Sequence, residues 1–309
     1  MQAFTTVHPL DPEDAPIVDS IKVAVRSTKG VPWTTAARPQ YDAFMERVRP
    51  PQGVTFEPGV VGKIPGLWVR PASSRPGDAI LHFHGGWFVS GSARAYRHLV
   101  GHIAARAGTA VFVPDYRLAP EHPFPAAVDD GLSAYRGLGE TGLRRIAISG
   151  DSAGGNLALG LAASVASNAV SARTALVGVA AVSPVTDLTL SGASYTTRAD
   201  ADPFFTRPQV AELVRAYLGN ADARDPRASP LESRLSGLPP ICIHVGDDEV
   251  LLDDAQRYVA RAVAAGNDAH LDVWMGMPHG FVASIGMLKA SALALDAIGK
   301  RLSAQFQIQ

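Results

Sequence analysis

Seven short apolar runs recur along this chain, at residues 66–70, 79–84, 110–113, 145–149, 177–182, 241–245 and 271–274. Six of them are stopped by glycine or proline: Pro71, Gly85, Pro114, Gly150, Pro184 and Gly246. Several are almost unbroken in their apolar character, as strands covered on both faces must be. Helical spacing fills the gaps. Val128, Leu132 and Tyr135 mark a helix over 126–138, and Leu157, Leu161 and Val165 mark one over 156–167. Tyr258, Val259 and Val263 do so over 253–265, and Leu288, Leu295, Ile298 and Leu302 over 287–306. Strand and helix in alternation dictate an α/β architecture, a mostly parallel sheet with helices on both faces. Functional residues in such a sheet collect beyond the carboxyl ends of its strands.

Two stretches depart from that rhythm. The first fifty residues are punctuated by proline, and Phe44 and Val48 share a helical face over 41–48, so this part reads as an appended helical arm. Residues 187–220 hold Asp202-Pro-Phe-Phe-Thr206 and then a helix over 208–218, where Pro208 suits the first turn. That stretch reads as an insertion between strands and a wall over a site.

Composition excludes several classes. The chain has 309 residues with no internal repeat and no low-complexity linker, and a single α/β domain accounts for it. Its 28 basic and 29 acidic residues leave a net charge of −1, so no global field draws nucleic acid or an anionic membrane. A hydrophobic fraction of 47% supplies a core and excludes a disordered chain. The one cysteine, Cys242, excludes an internal disulfide and a thiolate metal cluster. Residues 1–20 carry Asp11, Glu13, Asp14 and Asp19 where a secretory leader needs basic and then apolar residues. The longest uncharged stretch, 152–172, is rich in Gly, Ser, Asn and Ala, as a turn and a buried helix are. The expectation is a soluble, cytoplasmic chain with no membrane partner.

The chemistry-bearing signal is Gly150-Asp-Ser-Ala-Gly154, a G-x-S-x-G between an apolar strand and an uncharged helical run. Its small residues let two backbones pass closely, and the turn presents Ser152 at a helix N-terminus, where the dipole favours developing negative charge. A serine hydroxyl needs a base, and the base needs an orienting carboxylate. Triads built on this turn follow the chain order serine, acid, histidine. Three histidines follow Ser152. His244 lies inside an apolar strand, His270 opens another, and His279 occupies a loop just past the last strand, where a base belongs. The acid is expected after the strand at 241–245. Asp253 and Asp254 suit the start of the next helix, which leaves Asp247, Asp248 and Glu249, and spacing does not choose among them. Oxyanion donors are readable in the Ala153 N–H and in the glycines of His84-Gly-Gly-Trp87.

Together these motifs resemble the hormone-sensitive-lipase-like branch (family IV) of the α/β-hydrolase carboxylesterases, particularly its bacterial members with a Gly-Asp-Ser-Ala-Gly turn. His84-Gly85-Gly86 is similar to the branch's HGG(G) signature, and residues 115–127 to its DYRLAPE-x-x-FPAA run. Ser183-Pro184 with Asp187 resembles its SPW-x-D segment, and His279-Gly280-Phe281 its histidine loop. The resemblance spans roughly residues 60–300. It implies an α/β-hydrolase fold with a helical cap: a cap segment at 1–50, a catalytic domain over 51–309, and a cap insertion at about 187–220.

Carried over by position, Ser152 is the nucleophile, His279 the general base, and Gly85, Gly86 and Ala153 the oxyanion donors. The family acid opens an acid-x-Leu-x-acid run, which Glu249-Val-Leu-Leu-Asp253 fits, so the acid falls on Glu249, with Asp248 as the alternative. Trp87 stands where the branch usually has a third glycine and adds bulk to a substrate pocket expected to include Phe88, Asp151, Phe204 and Phe281. Trp33, Tyr41 and Phe44 of the arm are further candidates to line it. The implied activity is hydrolysis of short- to medium-chain carboxylic esters, small-molecule substrates, with no metal or organic cofactor. An amidase such as a formamidase shares the triad, and non-catalytic receptors exist on this scaffold but lack a working base. Homodimers through an edge strand and the last helix are common in the family.

Overall fold

A computed structural model describes residues 4–167 and 174–307. Nine strands form one sheet: β1 (Thr5–His8), β2 (Val54–Val61), β3 (Ile64–Pro71), β4 (Asp78–Phe83), β5 (Val111–Pro114), β6 (Arg145–Asp151), β7 (Ala175–Val182), β8 (Ile241–Gly246) and β9 (Ala269–Trp274). The helices are α1 (Ala15–Val25), α2 (Arg38–Met45), α3 (Arg97–Ala107), α4 (Ala126–Glu140), α5 (Ala153–Ala166), the short α6 (Ser194–Thr197), α7 (Arg207–Leu218), α8 (Leu252–Ala264) and α9 (Lys289–Gln305). The last residues of the long uncharged stretch, 168–172, lie outside the described part.

The strand order is β1-β9-β8-β7-β6-β4-β5-β3-β2. From β1 through β5 every pairing is parallel, while β3 and β2 fold back antiparallel. The sheet is therefore mostly parallel and flanked by helices, as the alternation requires. Side chains alternate between its faces. Leu81, Phe83, Ile146 and Ile148 join a core with α4, α5, α7 and α8, while Ile80 and Ala147 join one with α3 and α9.

The chain leaves β4 toward β5 on one side and leaves β6 toward β7 on the other, so the order reverses between neighbouring strands β4 and β6. Such a switch point opens a crevice beyond the carboxyl ends of the two strands. Residues 84–91 emerge into it from β4 and residue 152 from β6.

Five elements were not anticipated, the short α6 among them. Strand β1, Thr-Thr-Val-His, lies within the segment read as a helical arm, so part of 1–50 belongs to the sheet. It carries no apolar run because it is an edge strand, held by Thr6 Oγ1 and His270 Nε2 at 2.9 Å and by His8 Nε2 and Asp272 Oδ1 at 2.7 Å. Strand β2 is the opposite edge, and Glu57, Pro58 and Gly59 interrupt its pattern. Helix α1 follows Pro12 and carries Pro16 in its first turn, and α3 carries Gly101 mid-helix, where an added Cβ would lie 2.5 Å from Pro51 Cγ. Between β7 and β8, Thr206 and Gln209 cap α7 reciprocally.

Candidate active site

Ser152 joins β6 to α5 with φ 55° and ψ −120°, a conformation that a non-glycine residue holds only under strain from its surroundings. The surroundings supply it. Ser152 N–H donates to the Val182 carbonyl at 2.8 Å, and Val185 N–H donates to the Ser152 carbonyl at 3.2 Å. The motif glycines are sterically fixed. A Cβ on Gly150 would lie 2.2 Å from the Gly154 oxygen, and one on Gly154 would lie 2.0 Å from the Phe83 oxygen.

The three carboxylates that spacing left open have three different partners. Asp247 accepts from Gly276 N–H and faces Arg198 at 3.8 Å. Asp248 pairs with Lys22 of α1 at 2.5 Å. Glu249 is fully buried and accepts from His279 Nδ1 at 2.8 Å through Oε2. Its Oε1 accepts from Ser183 Oγ and from Gly246 N–H, each at 2.7 Å. Three donors on one carboxylate describe an ionised acceptor, which fixes the proton of a neutral His279 on Nδ1 and leaves Nε2 to accept. Ser183 lies between the two residues that clamp Ser152, so one turn holds both the serine backbone and the acid.

Burial alone would lower the pKa of His279, but the hydrogen bond and charge of Glu249, with the charges of Asp202 and Asp151, outweigh it and raise the value. Among the described residues Glu249 is the ring's hydrogen-bond partner and none joins it to Ser152 Oγ. Contacts of that kind often tighten only with substrate bound. His244 is excluded as a base: it is buried, accepts from Trp274 Nε1 at 3.2 Å, and burial pushes its pKa down to about 4. His270 is spent on Thr6 at the sheet edge.

The β4 loop lies beside the serine turn, since Phe83 pairs with Gly150. No backbone carbonyl among the described residues accepts from the Gly85 or Gly86 N–H, and the Ala153 N–H, at the first position of α5, has no partner within its helix. A Cβ on Gly85 would meet Asp151 Oδ2 at 2.4 Å and Tyr96 Oη at 2.8 Å.

The expected pocket aromatics divide. Trp87 is buried and stands edge-on to Phe205 at 5.4 Å, and Phe205 stands edge-on to His279 at 5.2 Å. Phe204 packs beside Phe205 at 6.1 Å. Phe88 and Phe281, by contrast, are turned into the core. Phe88 stacks on Tyr217 of α7 at 3.7 Å, and Phe281 packs on Trp274 of β9 at 5.7 Å. Both are large apolar rings beside site loops, buried against a neighbouring element. Asp151 accepts from Tyr96 Oη at 3.2 Å, and Tyr96 Oη lies 2.6 Å from Tyr41 Oη of α2, so the arm reaches the residue before Ser152. Phe44 is exposed.

Sequence reasoning gave no role to Ser183 or Asp202, both of which support the His279–Glu249 pair. Among the described residues no group of three or more His, Cys, Asp or Glu side chains is disposed to hold a metal ion, and no helix is long and apolar enough to cross a membrane.

A family model described as an alpha/beta hydrolase fold matches residues 80–283. An acetyl-hydrolase of Streptomyces hygroscopicus is 39% identical over 221 residues, covering 71% of this chain and 73% of that protein. The solved structure of EstE5 superposes with a TM-score of 0.89 at 36% identity, covering 97% of this chain and 100% of that one. That of an esterase from the bacterial hormone-sensitive lipase family does so with a TM-score of 0.88 at 36% identity, covering 96% and 99%.

Proposed function

The chain belongs to the α/β-hydrolase fold family, in its hormone-sensitive-lipase-like esterase branch, and we propose on that premise that it hydrolyses short- to medium-chain carboxylic esters with Ser152, His279 and Glu249. The observation that carries the reading is the 2.8 Å bond from His279 Nδ1 to buried Glu249, past the carboxyl ends of the strands that also deliver Ser152.

His279 Nε2 takes the hydroxyl proton as Ser152 Oγ attacks the ester carbonyl. Glu249 holds the ring tautomer and stabilises the imidazolium. The free N–H groups of Gly85, Gly86 and Ala153 receive the oxyanion, where one such donor is worth about 3 kcal/mol. His279 then protonates the leaving alcohol, and a water activated by the same ring cleaves the acyl-enzyme and restores Ser152.

Parts of 1–50 and 187–220 act as walls over this site. Lys22 reaches Asp248, Lys29 Nζ donates to the Ala199 carbonyl at 2.6 Å, and Gln209 Nε2 donates to the Val31 carbonyl at 2.8 Å. The aromatic series Trp87, Phe205, His279 fills space beside the base and supports a short acyl group. The test is turnover of p-nitrophenyl butyrate beside Ser152→Ala, with fluorophosphonate labelling of both. Loss of turnover and label in a folded Ser152→Ala protein is the expected result, and full activity in that variant refutes the reading.

A further inference from the structure

Asp202 is fully buried in the insertion and has no cation among its hydrogen-bond partners. Its Oδ1 accepts from Phe204 N–H at 2.8 Å and Phe205 N–H at 2.9 Å, and its Oδ2 accepts from Val250 N–H at 2.8 Å. Val250 directly follows Glu249, and Phe205 carries the ring that stands edge-on to His279 at 5.2 Å. One side chain therefore pins two segments 48 positions apart, and each segment bears a group in contact with His279.

We propose that Asp202 is a positioning residue for the His279–Glu249 pair: it locks the acid-bearing turn through Val250, holds Phe205 against the imidazole, and sets a second carboxylate charge beside the ring. This rests on the reading of His279 as the base. The charges acting on the ring come from three elements: Glu249 on the turn after β8, Asp202 in the insertion, and Asp151 at the end of β6. Burial disfavours the ionised form of Asp202 and raises its pKa, while the three backbone donors oppose that. A clamp without electrostatic effect would need only the hydrogen bonds. The proposal requires the charge as well.

The experiment compares Asp202→Asn and Asp202→Glu with the unaltered protein, using the pH profile of kcat/KM on p-nitrophenyl butyrate. The His279 imidazole is titrated by NMR in a Ser152→Ala background, which needs no turnover. The asparagine is isosteric, keeps an acceptor for Phe204 and Phe205, and loses the charge. Its acidic limb and its imidazole titration are expected to move down by about 0.5 pH unit or more, with kcat/KM about tenfold lower from the loosened Val250 contact. The glutamate variant keeps the limb where the unaltered protein has it. An asparagine variant that folds and leaves both midpoints unmoved overturns the proposal. One that cannot fold also overturns it, because it makes Asp202 a structural clamp. If the unaltered protein neither turns over esters nor labels at Ser152, the functional reading fails instead, and the imidazole titration still reports on Asp202.

Discussion

Glu249 holds His279 from a carboxylate with no solvent exposure, 2.8 Å from Nδ1, while its other oxygen accepts from Ser183 Oγ and Gly246 N–H. Glu249→Gln keeps the volume but turns an amide N–H₂ toward one set of donors. The imidazole then loses either its partner or its tautomer. We expect kcat to fall roughly 10³- to 10⁴-fold with the fold intact. Glu249→Asp keeps the charge one methylene short and should lose about 10- to 100-fold. Asp248→Asn removes only the pairing with Lys22 and should leave kcat within about twofold. Steady-state kinetics on p-nitrophenyl butyrate, with circular dichroism as the folding control, decide this. A Glu249→Gln enzyme at full speed removes the assignment of the acid.

The pH dependence follows from the same pair. Burial opposes charge on His279, but Glu249, Asp202 and Asp151 outweigh it and raise the pKa above the ordinary histidine value. The base must be neutral to act, so kcat/KM should climb with pH through a midpoint above about 6.5. Stability runs the other way. A raised folded-state pKa means that the charged ring's contribution is complete below the unfolded value and is lost as pH rises through the folded one. Glu249→Gln should move the kinetic midpoint down and shift that stability difference in the same direction. A kinetic midpoint at or below that of free histidine contradicts this account.

Much of this was legible in the sequence because it is local. Ser152 and His279 each lie just past an apolar strand, and Gly85 and Gly86 directly follow another. What was hidden depends on contacts between distant segments. Asp247, Asp248 and Glu249 look alike in a row, and only their partners Gly276, Lys22 and His279 separate them. The role of Asp202 was invisible because one of its donors is a backbone N–H 48 residues on. The packing of Phe88 depends on Tyr217, which sits on an element far along the chain. Strand β1 escaped notice because an edge strand needs no apolar run, and its ties to His270 and Asp272 are polar.

Acyl-length preference should respond to Trp87. Its ring is buried edge-on to Phe205, and its φ of 53° is one that glycine tolerates far better than tryptophan. Trp87→Gly relieves that backbone strain, empties the space beside Phe205, and leaves Gly85 and Gly86 untouched. The lost aromatic burial costs up to about 3–5 kcal/mol, partly offset by the relaxed backbone. Across p-nitrophenyl esters from acetate to decanoate, kcat/KM should gain on the longer chains by about 10-fold relative to acetate. An unchanged profile places Trp87 away from the acyl group.

His244 offers a test of the core itself. The ring is buried in β8 and accepts from Trp274 Nε1 at 3.2 Å. Burial pushes its pKa down to about 4, against the opposing charge of Asp272. Here the folded value lies below the unfolded one, so the stabilising contribution of the neutral ring is full above about 6.5 and is lost as pH falls toward about 4. His244→Gln keeps an acceptor for the indole and cannot titrate. Urea unfolding at a series of pH values should show the stability advantage of the unaltered protein over His244→Gln shrinking by roughly 3 kcal/mol across that window. The change should be steepest between those two values, where the unfolded histidine is protonated and the folded one is not. A gap that stays constant from neutral pH down to the acid transition would mean that the ring does not stay neutral in the folded state, and the strand core around Trp274 would then need a charged occupant.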